Sequence, residues 1–354
     1  MRDLSDPAQG PHAIQLVLND VLKAAKGTAE LRVVREDPVV SVEDNYTNLG
    51  YPPDAITRDA RYTRYLDDGR VLRSHTSAMI PPSLRGLAAK SYWSDVLLAC
   101  TGVVYRRDAV DRIHTGTPHQ LDLWRISRGE PRALEPLVDA AVRGALPGAT
   151  YRTVAATHPY TEHGLQVDVW ANGEWLEIAE CGYAARHVLA KAGLPDTVTG
   201  LAMGIGLDRL VMLRKGLADI RLLSATDPRI ADQMLDLKPY RPVSKHPPVS
   251  RDLSVAVDAT ADDETLGDLV RAAVGDLAEE IRVLSETPVE DLPPAAVQRL
   301  GALPGQKNVL LRVVLRDLSR TLSDDEANEV RDAVYAAVHR GTVSQWSSPG
   351  RGSR

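Results

Sequence analysis

The chain has 354 residues, 25% of them charged, with a net charge of −6. That length accommodates two domains, each with its own core. The charge excludes binding of nucleic acid through a global basic field and leaves only local basic faces for that purpose. No apolar run reaches membrane-spanning length, and the start MRDLSDPAQG has no apolar signal core. Cys100 and Cys181 are the only cysteines and lack metal-ligand spacing, so the expected setting is the reducing cytoplasm, with no membrane partner.

Residues 11–24 carry Ile14, Val17, Leu18, Val21 and Leu22 on one stripe behind Pro11, which predicts a helix with proline in its first turn. Residues 31–42 and 65–72 read as strands around a turn-rich connector, EDNYTNLGYPPDAITRD. In the segment RSHTSAM at 73–79, Thr76 and Ser77 are ordinary turn or cap residues on composition alone. Apolar runs at 96–98, 103–105 and 121–126 bracket a loop rich in arginine and aspartate, as in an antiparallel hairpin with its charges at one end. The planar fork of arginine suits phosphate. Gln120 and Asp122 share a face of the return strand, where an amide and a carboxylate can hold an ammonium group. Solvated surface ion pairs would account for the same residues.

Residues 130–145 have the period of an amphipathic helix, and 151–175 contain strands with Asn172-Gly173 as a hairpin turn. His158 and His163 lack the further His or Cys that would complete a metal set. Residues 200–221 run from a glycine-rich strand into a helix. A proline-rich stretch from Lys238 marks a boundary. Beyond it the pattern is strand, helix, strand, strand, helix, the last helix opened by a Ser323–Glu326 capping box. With one short strand more, this is a split βαβ, ferredoxin-like unit. Residues 344–354 read as a flexible basic tail.

Several of these stretches resemble one family. VYRRDxxDxxHxxxxHQLD resembles motif 2 of class II aminoacyl-tRNA synthetases, in the form found in single-chain, mitochondrial-type phenylalanyl-tRNA synthetases (VYRRDxIDxxHxxxFHQLE). RSHTSAM resembles their LRxHTSA element, and HPYTEHGLQVDV…EWLEIAECG resembles FPFTxPSxEVDV…EWLEVLGCG. GLAMGIGLDRLVMLRKGLADIR resembles motif 3, and SKHPPVSRDLSVAV with TLSDDEAN resembles the ferredoxin-fold anticodon-binding domain. The resemblance spans residues 11–343.

It implies an α+β fold: a class II antiparallel sheet with flanking helices over 1–237, a ferredoxin-like βαββαβ domain over 238–343, and the tail. It also implies a two-step reaction. An amino-acid carboxylate attacks the α-phosphate of ATP, and the acyl group then passes to the terminal adenosine of tRNA. Positioning and electrostatics supply the catalysis without a protein nucleophile. By the resemblance, Arg106 and Arg209 are catalytic, and with Asp108, His114, Pro118 and Glu177 they hold ATP, Glu177 also taking Mg2+. His75, Ser77, Gln120, Asp122, His158, Tyr160 and Ala202 line the amino-acid pocket, and Lys245, His246 and Arg251 face RNA. No partner subunit is required, and the span between the motifs is too short for an editing domain.

The departures concern phenylalanine. The chain contains none, and Pro118, His158, Tyr160 and Met203 stand where the family customarily has it. Asp122 replaces the usual Glu. A His/Tyr clamp is flat enough to stack on an aryl ring but more polar than Phe. The preferred acid is therefore open between phenylalanine and another aromatic amino acid loaded for a specialised pathway, and a non-catalytic tRNA-binding paralogue is the third reading. A chain without Phe codons can be translated when charged phenylalanine tRNA runs out, which suggests a backup or resistance enzyme.

Overall fold

The computed structural model describes residues 2–67, 69–106, 115–242 and 246–344. The chain passes from a first compact unit to a second between Tyr240 and Arg241.

The first unit opens with α1 (Ala13–Ala25), β1 (Glu30–Val34), β2 (Val39–Ser41) and the short α2 (Val42–Asn45). β3 (Arg64–Tyr65) and β4 (Arg70–Leu72) join β2 in a small three-stranded sheet. Next come α3 (Ile80–Ala88), β5 (Asp95–Val103), β6 (His119–Arg128) and α4 (Glu135–Ala145). β7 (Tyr151–Ala155), β8 (Thr161–Ala171), β9 (Glu174–Ala184), α5 (Arg186–Lys191), β10 (Val198–Gly206), α6 (Leu207–Lys215) and α7 (Pro228–Ala231) complete the named elements.

Seven strands form one sheet in the order β1-β5-β6-β10-β9-β8-β7, antiparallel except for the β1–β5 pair. The run DVLLACTGV of β5 is almost wholly buried because both of its faces are covered, so it reads as continuous apolar sequence. Leu98, Trp124, Ile126 and Ala202 pack with Ile80, Leu84 and Leu87 of α3 and Val188 and Leu189 of α5. The alternate residues Leu97, Ala99, Leu121, Leu123, Leu201 and Met203 are buried on the opposite face.

Three expected boundaries shift for local reasons. Pro11 lies outside the first helix, because His12 is its N-cap and His12 Nδ1 accepts from Ile14 N–H at 3.2 Å. α4 starts at Glu135 rather than 130, with Pro136, which lacks an N–H, in its first turn. Residues 65–72 form a hairpin rather than one strand; Asp67 accepts from Gly69 N–H at 3.1 Å and helps close it. The Asn172-Gly173 turn joins β8 to β9, both residues having positive φ (53° and 89°) as a tight hairpin of this kind requires.

The second unit contains β11 (Val249–Asp258), α8 (Asp263–Val274), β12 (Ala278–Pro288), α9 (Pro294–Leu300), β13 (Gln306–Leu315) and α10 (Asp324–Val338). Its antiparallel sheet runs β11-β13-β12. Leu253, Val255, Val309, Leu311 and Val313 pack against Leu266 and Val270 of α8 and Val334, Tyr335 and Val338 of α10. Both halves of the Ser323–Glu326 capping box are formed. Among the described residues the sheet has three strands; the extra short strand expected from the sequence is not one of them, and the short helix α9 lies between β12 and β13.

Candidate active site

Strand register builds a floor. Asp122 of β6 stands opposite Gly204 of β10, which stands opposite Glu180 of β9. The neighbouring rows are Trp124–Ala202–Gly182 and Gln120–Gly206. Directly paired antiparallel residues point to one face, so these side chains share it. A Cβ on Gly204 would meet only the Asp122 carboxylate, at 3.9 Å, and one on Gly206 would meet nothing within 4 Å. These two glycines therefore leave open space over the sheet. Gly182 differs, since a Cβ there would come within 2.8 Å of Thr161.

Asp122 is 2% exposed. It accepts from Thr76 Oγ1 at 2.8 Å, Ser77 Oγ at 3.0 Å and Trp124 Nε1 at 3.4 Å. All three donors are neutral. Burial pushes its carboxyl up to about 6 despite those bonds, and the charge of Glu180 adds to the rise. Gln120 Oε1 accepts from Thr76 N–H at 3.3 Å. Asp122 and Gln120 thus stand side by side on the floor, both held by the turn at Thr76.

The turn Thr76–Met79 that aims these hydroxyls also places His75, stacked on Tyr51 with ring centroids 5.6 Å apart. Neither His75 ring nitrogen has a partner in hydrogen-bond geometry. Burial, with Arg106 nearby, lowers its pKa to about 3, so the ring is neutral and able to bond a ligand from either nitrogen. Ser77, expected to touch a substrate, donates its hydroxyl to Asp122 and keeps its oxygen lone pairs as acceptors.

Arg106 leaves the end of the β5 arm with its N–H on Gly116 O (2.9 Å) and its Nε on Ser74 O (2.8 Å). Arg209, in the first turn of α6 after Gly206, donates through Nη1 to Glu177 O at 2.6 Å. Glu177 should point away from Glu180 by simple alternation. A register shift between Val167 and Asp168 against β9 pairs Asp168 with Glu177 and returns Glu177 to the face of Glu180. Burial raises its carboxyl pKa, the charges of Glu180 and Asp168 add to the rise, and Arg209 and Arg106 oppose it. Such a carboxylate gains from a hard divalent cation, and Mg2+ suits it when phosphate oxygens and water supply most of the ligands. Among the described residues no cluster of three or more His, Cys, Asp or Glu could hold a metal alone.

Aromatic rings wall one end of the floor. Tyr160 lies 6.2 Å from Trp124 and 6.3 Å from Tyr51, and His158 stacks on it at 5.8 Å and 23°. Ala202, fully buried, sits beneath them in the same cluster as Trp124 and Tyr160. His158 Nδ1 lies 3.0 Å from Thr161 Oγ1, and its Nε2 is 3.3 Å from Glu180 Oε1. The imidazole beside Glu180 holds that carboxyl below its ordinary range. Pro118 is half-buried, its carbonyl accepting from Val104 N–H at 2.9 Å.

An N-terminal strap ties the hairpin to motif 3. Asp3 Oδ2 accepts from Val103 N–H at 3.1 Å, and Leu4 N–H donates to His119 Nε2 at 3.0 Å. Val103 and His119 are paired at the ends of β5 and β6. His119 Nδ1 is 3.0 Å from Asp208 Oδ1 in α6.

The structure brings His75, Ser77, Arg106, Gln120, Asp122, His158, Tyr160, Glu177, Ala202 and Arg209 into this unit around one sheet face. Asp108, His114 and Lys245 lie outside the described residues. In the second unit Arg251 donates to Asn328 Oδ1 at 3.0 Å and pairs with Asp324 at 3.0 Å, while His246 Nδ1 lies 2.6 Å from Thr321 Oγ1. Glu180, Tyr51, Thr76 and the Asp3–His119–Asp208 strap are additions to the expected site. Thr76, His119 and Asp208 stand inside the stretches that carry the resemblance, and Glu180 is the E of EWLEIAECG where the family pattern has G. Tyr51 sat in a stretch read as a connector.

Comparison with known proteins agrees with this geometry. Residues 7–234 match the family described as tRNA synthetases class II core domain (F), and residues 244–343 match the ferredoxin-fold anticodon binding domain. The chain is 27% identical over 320 residues to the chloroplastic/mitochondrial phenylalanine–tRNA ligase of Arabidopsis thaliana, covering 86% of this chain and 70% of that protein. It is 26% identical over 362 residues to a probable mitochondrial phenylalanine–tRNA ligase of Drosophila melanogaster, covering 85% and 76%. A phenylalanine–tRNA ligase alpha subunit of Prochlorococcus marinus is 37% identical over 205 residues, 56% of this chain and 59% of the subunit.

Proposed function

This chain belongs to the class II aminoacyl-tRNA synthetases, and from that premise we propose that it activates phenylalanine with ATP and loads it onto tRNA as a single chain. The observation that carries the reading is the open floor at Gly204 and Gly206, with the buried carboxyl of Asp122 beside it and Arg106 and Arg209 anchored around it.

The residues divide the work by charge. Asp122 takes the substrate ammonium, and Gln120 and a His75 nitrogen fix the rest of its head group. The amino-acid carboxylate then lies toward Gly206, where no side chain blocks its approach to the α-phosphate. Arg106 neutralises the charge that grows there as the acyl-phosphate bond forms and the bond to pyrophosphate breaks, and Arg209 holds the far phosphates. Glu177 would hold Mg2+ carried in with ATP, which supplies further charge neutralisation on the phosphates. The terminal ribose hydroxyl of tRNA then displaces AMP from the acyl group. The second unit positions the tRNA, with His246, Arg251 and Lys245 as its RNA-facing set.

The two cysteines are buried and free, which suits a reducing compartment such as the cytoplasm. The absence of phenylalanine from the sequence supports a backup or resistance role in which the enzyme is made while charged phenylalanine tRNA is scarce. Amino-acid-dependent ATP–pyrophosphate exchange tests the activation step, and aminoacylation of tRNA tests the second. Exchange with phenylalanine and charging of phenylalanine tRNA are expected. A folded protein that supports neither with any amino acid would overturn the proposal in favour of a non-catalytic tRNA-binding role.

A further inference from the structure

The end of the floor opposite Asp122 carries a polar pair that an apolar ring does not need. Glu180, Gly204 and Asp122 stand in one row across three strands. At roughly 4.8 Å per strand spacing, the backbones bearing the two carboxylates are about 10 Å apart, with only a glycine between them. That gap is comparable with the reach of a phenylalanine skeleton from its amino group to the far edge of its ring.

The Glu180 side chain is 42% exposed, so it meets whatever fills the space above the row. The His158 side chain is 6% exposed, its Nδ1 engaged near Thr161 and its buried Nε2 without a partner in hydrogen-bond geometry even at 3.3 Å from Glu180. The His158 ring stacks on Tyr160, which lies against Trp124 and Tyr51. An aromatic wall therefore carries at its edge a carboxylate, which can only accept, and an imidazole nitrogen 3.3 Å from it but outside hydrogen-bond geometry.

An unsubstituted phenyl ring offers neither a donor nor an acceptor. Docked here, it would strip water from Glu180 and leave His158 Nε2 only its poorly aligned contact with that carboxylate, both at a cost. A phenolic hydroxyl on the ring answers both groups, donating to Glu180 and accepting from the imidazole N–H. We infer that Glu180 and His158 are a specificity-determining pair, and that this chain activates a ring-hydroxylated phenylalanine in preference to phenylalanine itself. The inference rests on the adenylation function proposed above and narrows its substrate class. The chemistry of activation is unchanged, because the hydroxyl contributes binding only.

The test is pyrophosphate exchange by the full-length chain with phenylalanine, meta-tyrosine and tyrosine in turn. The quantity read is the ratio of kcat/KM for each hydroxylated acid to that for phenylalanine. The wild-type ratio is expected to exceed ten for at least one of them, the scale of a hydrogen bond to a charged group. Glu180→Gly and His158→Phe should each move the ratio toward phenylalanine by roughly ten- to hundredfold, and Glu180→Gln, which keeps an acceptor oxygen, by less. Thermal melting checks folding, and if His158→Phe does not fold, the two Glu180 variants carry the test. Exchange that favours phenylalanine, with a ratio unmoved by Glu180→Gly, overturns this inference while leaving the proposed function intact. Exchange with none of the acids overturns both.

Discussion

Replacing Asp122 with asparagine should stabilise the ligand-free protein while removing amino-acid binding. The carboxyl is moved by burial from an ordinary 3.8 to about 6. Its proton therefore binds more tightly in the folded chain than in the unfolded one. Below about pH 3.8 both states are protonated and the group costs nothing. As pH rises to about 6 the unfolded chain ionises first, and folding loses stability. Above about 6 the full penalty stands, about 3 kcal/mol at roughly 1.4 kcal/mol per tenfold in acidity. Asparagine carries no charge to desolvate, and the hydroxyls of Thr76 and Ser77 can turn to accept from its amide. The assay is urea unfolding of both proteins across pH 4–8, followed by tryptophan fluorescence, since Trp93, Trp124, Trp170 and Trp175 all lie in the first unit. The variant should be the more stable by up to about 3 kcal/mol at pH 7.5, the gap closing toward pH 4. Its kcat/KM for amino acid in exchange should fall by at least about a hundredfold, as for loss of a charged binding partner. A variant less stable at pH 7.5, or a difference independent of pH, would refute the claim that Asp122 waits for a cation.

Glycine substitutions should separate cleft from core. Gly204→Ala, whose Cβ meets only the Asp122 carboxylate, should melt like the parent and raise the amino-acid KM about tenfold, whereas Gly182→Ala, pressed against Thr161, should lower the melting temperature by several degrees. Arg209→Ala should lower exchange by about a hundred- to a thousandfold with folding retained, and Arg209→Lys should rescue little of it because the planar fork is lost. His119→Ala removes partners from Leu4 and Asp208 and should cost about 1–3 kcal/mol, read by urea denaturation; an unchanged midpoint would show that the strap does not hold the hairpin.

Sequence motifs revealed which residues gather, since long irregular strings such as VYRRDxxDxxH…HQLD carry register as well as composition. They revealed less of how the residues are held. Ser77 reads as a substrate contact, and the structure adds that its hydroxyl donates to Asp122, a pairing no local pattern announces. Glu177 falls on the reactive face only through a shift in β8–β9 pairing that strict alternation does not predict. Tyr51 enters the site from a loop whose glycine and proline content describes its turns and not its destination. The strap from Asp3 to Asp208 joins residues too distant for any local pattern to couple. In the second unit the capping box is legible because both of its partners lie within one turn, while α9 arises between two strands where the sequence pattern predicts no helix.

The contact of His12 Nε2 with Leu223 O, 3.0 Å long, spans 211 positions. A ribosome adding about 5–20 residues per second needs on the order of ten to forty seconds to supply the second partner after the first. Throughout that interval the front of α1 can be made but lacks its tie to Leu223. A ribosome stalled before Leu223 leaves a chain with every candidate site residue named above from the first unit but with its opening helix still unfastened.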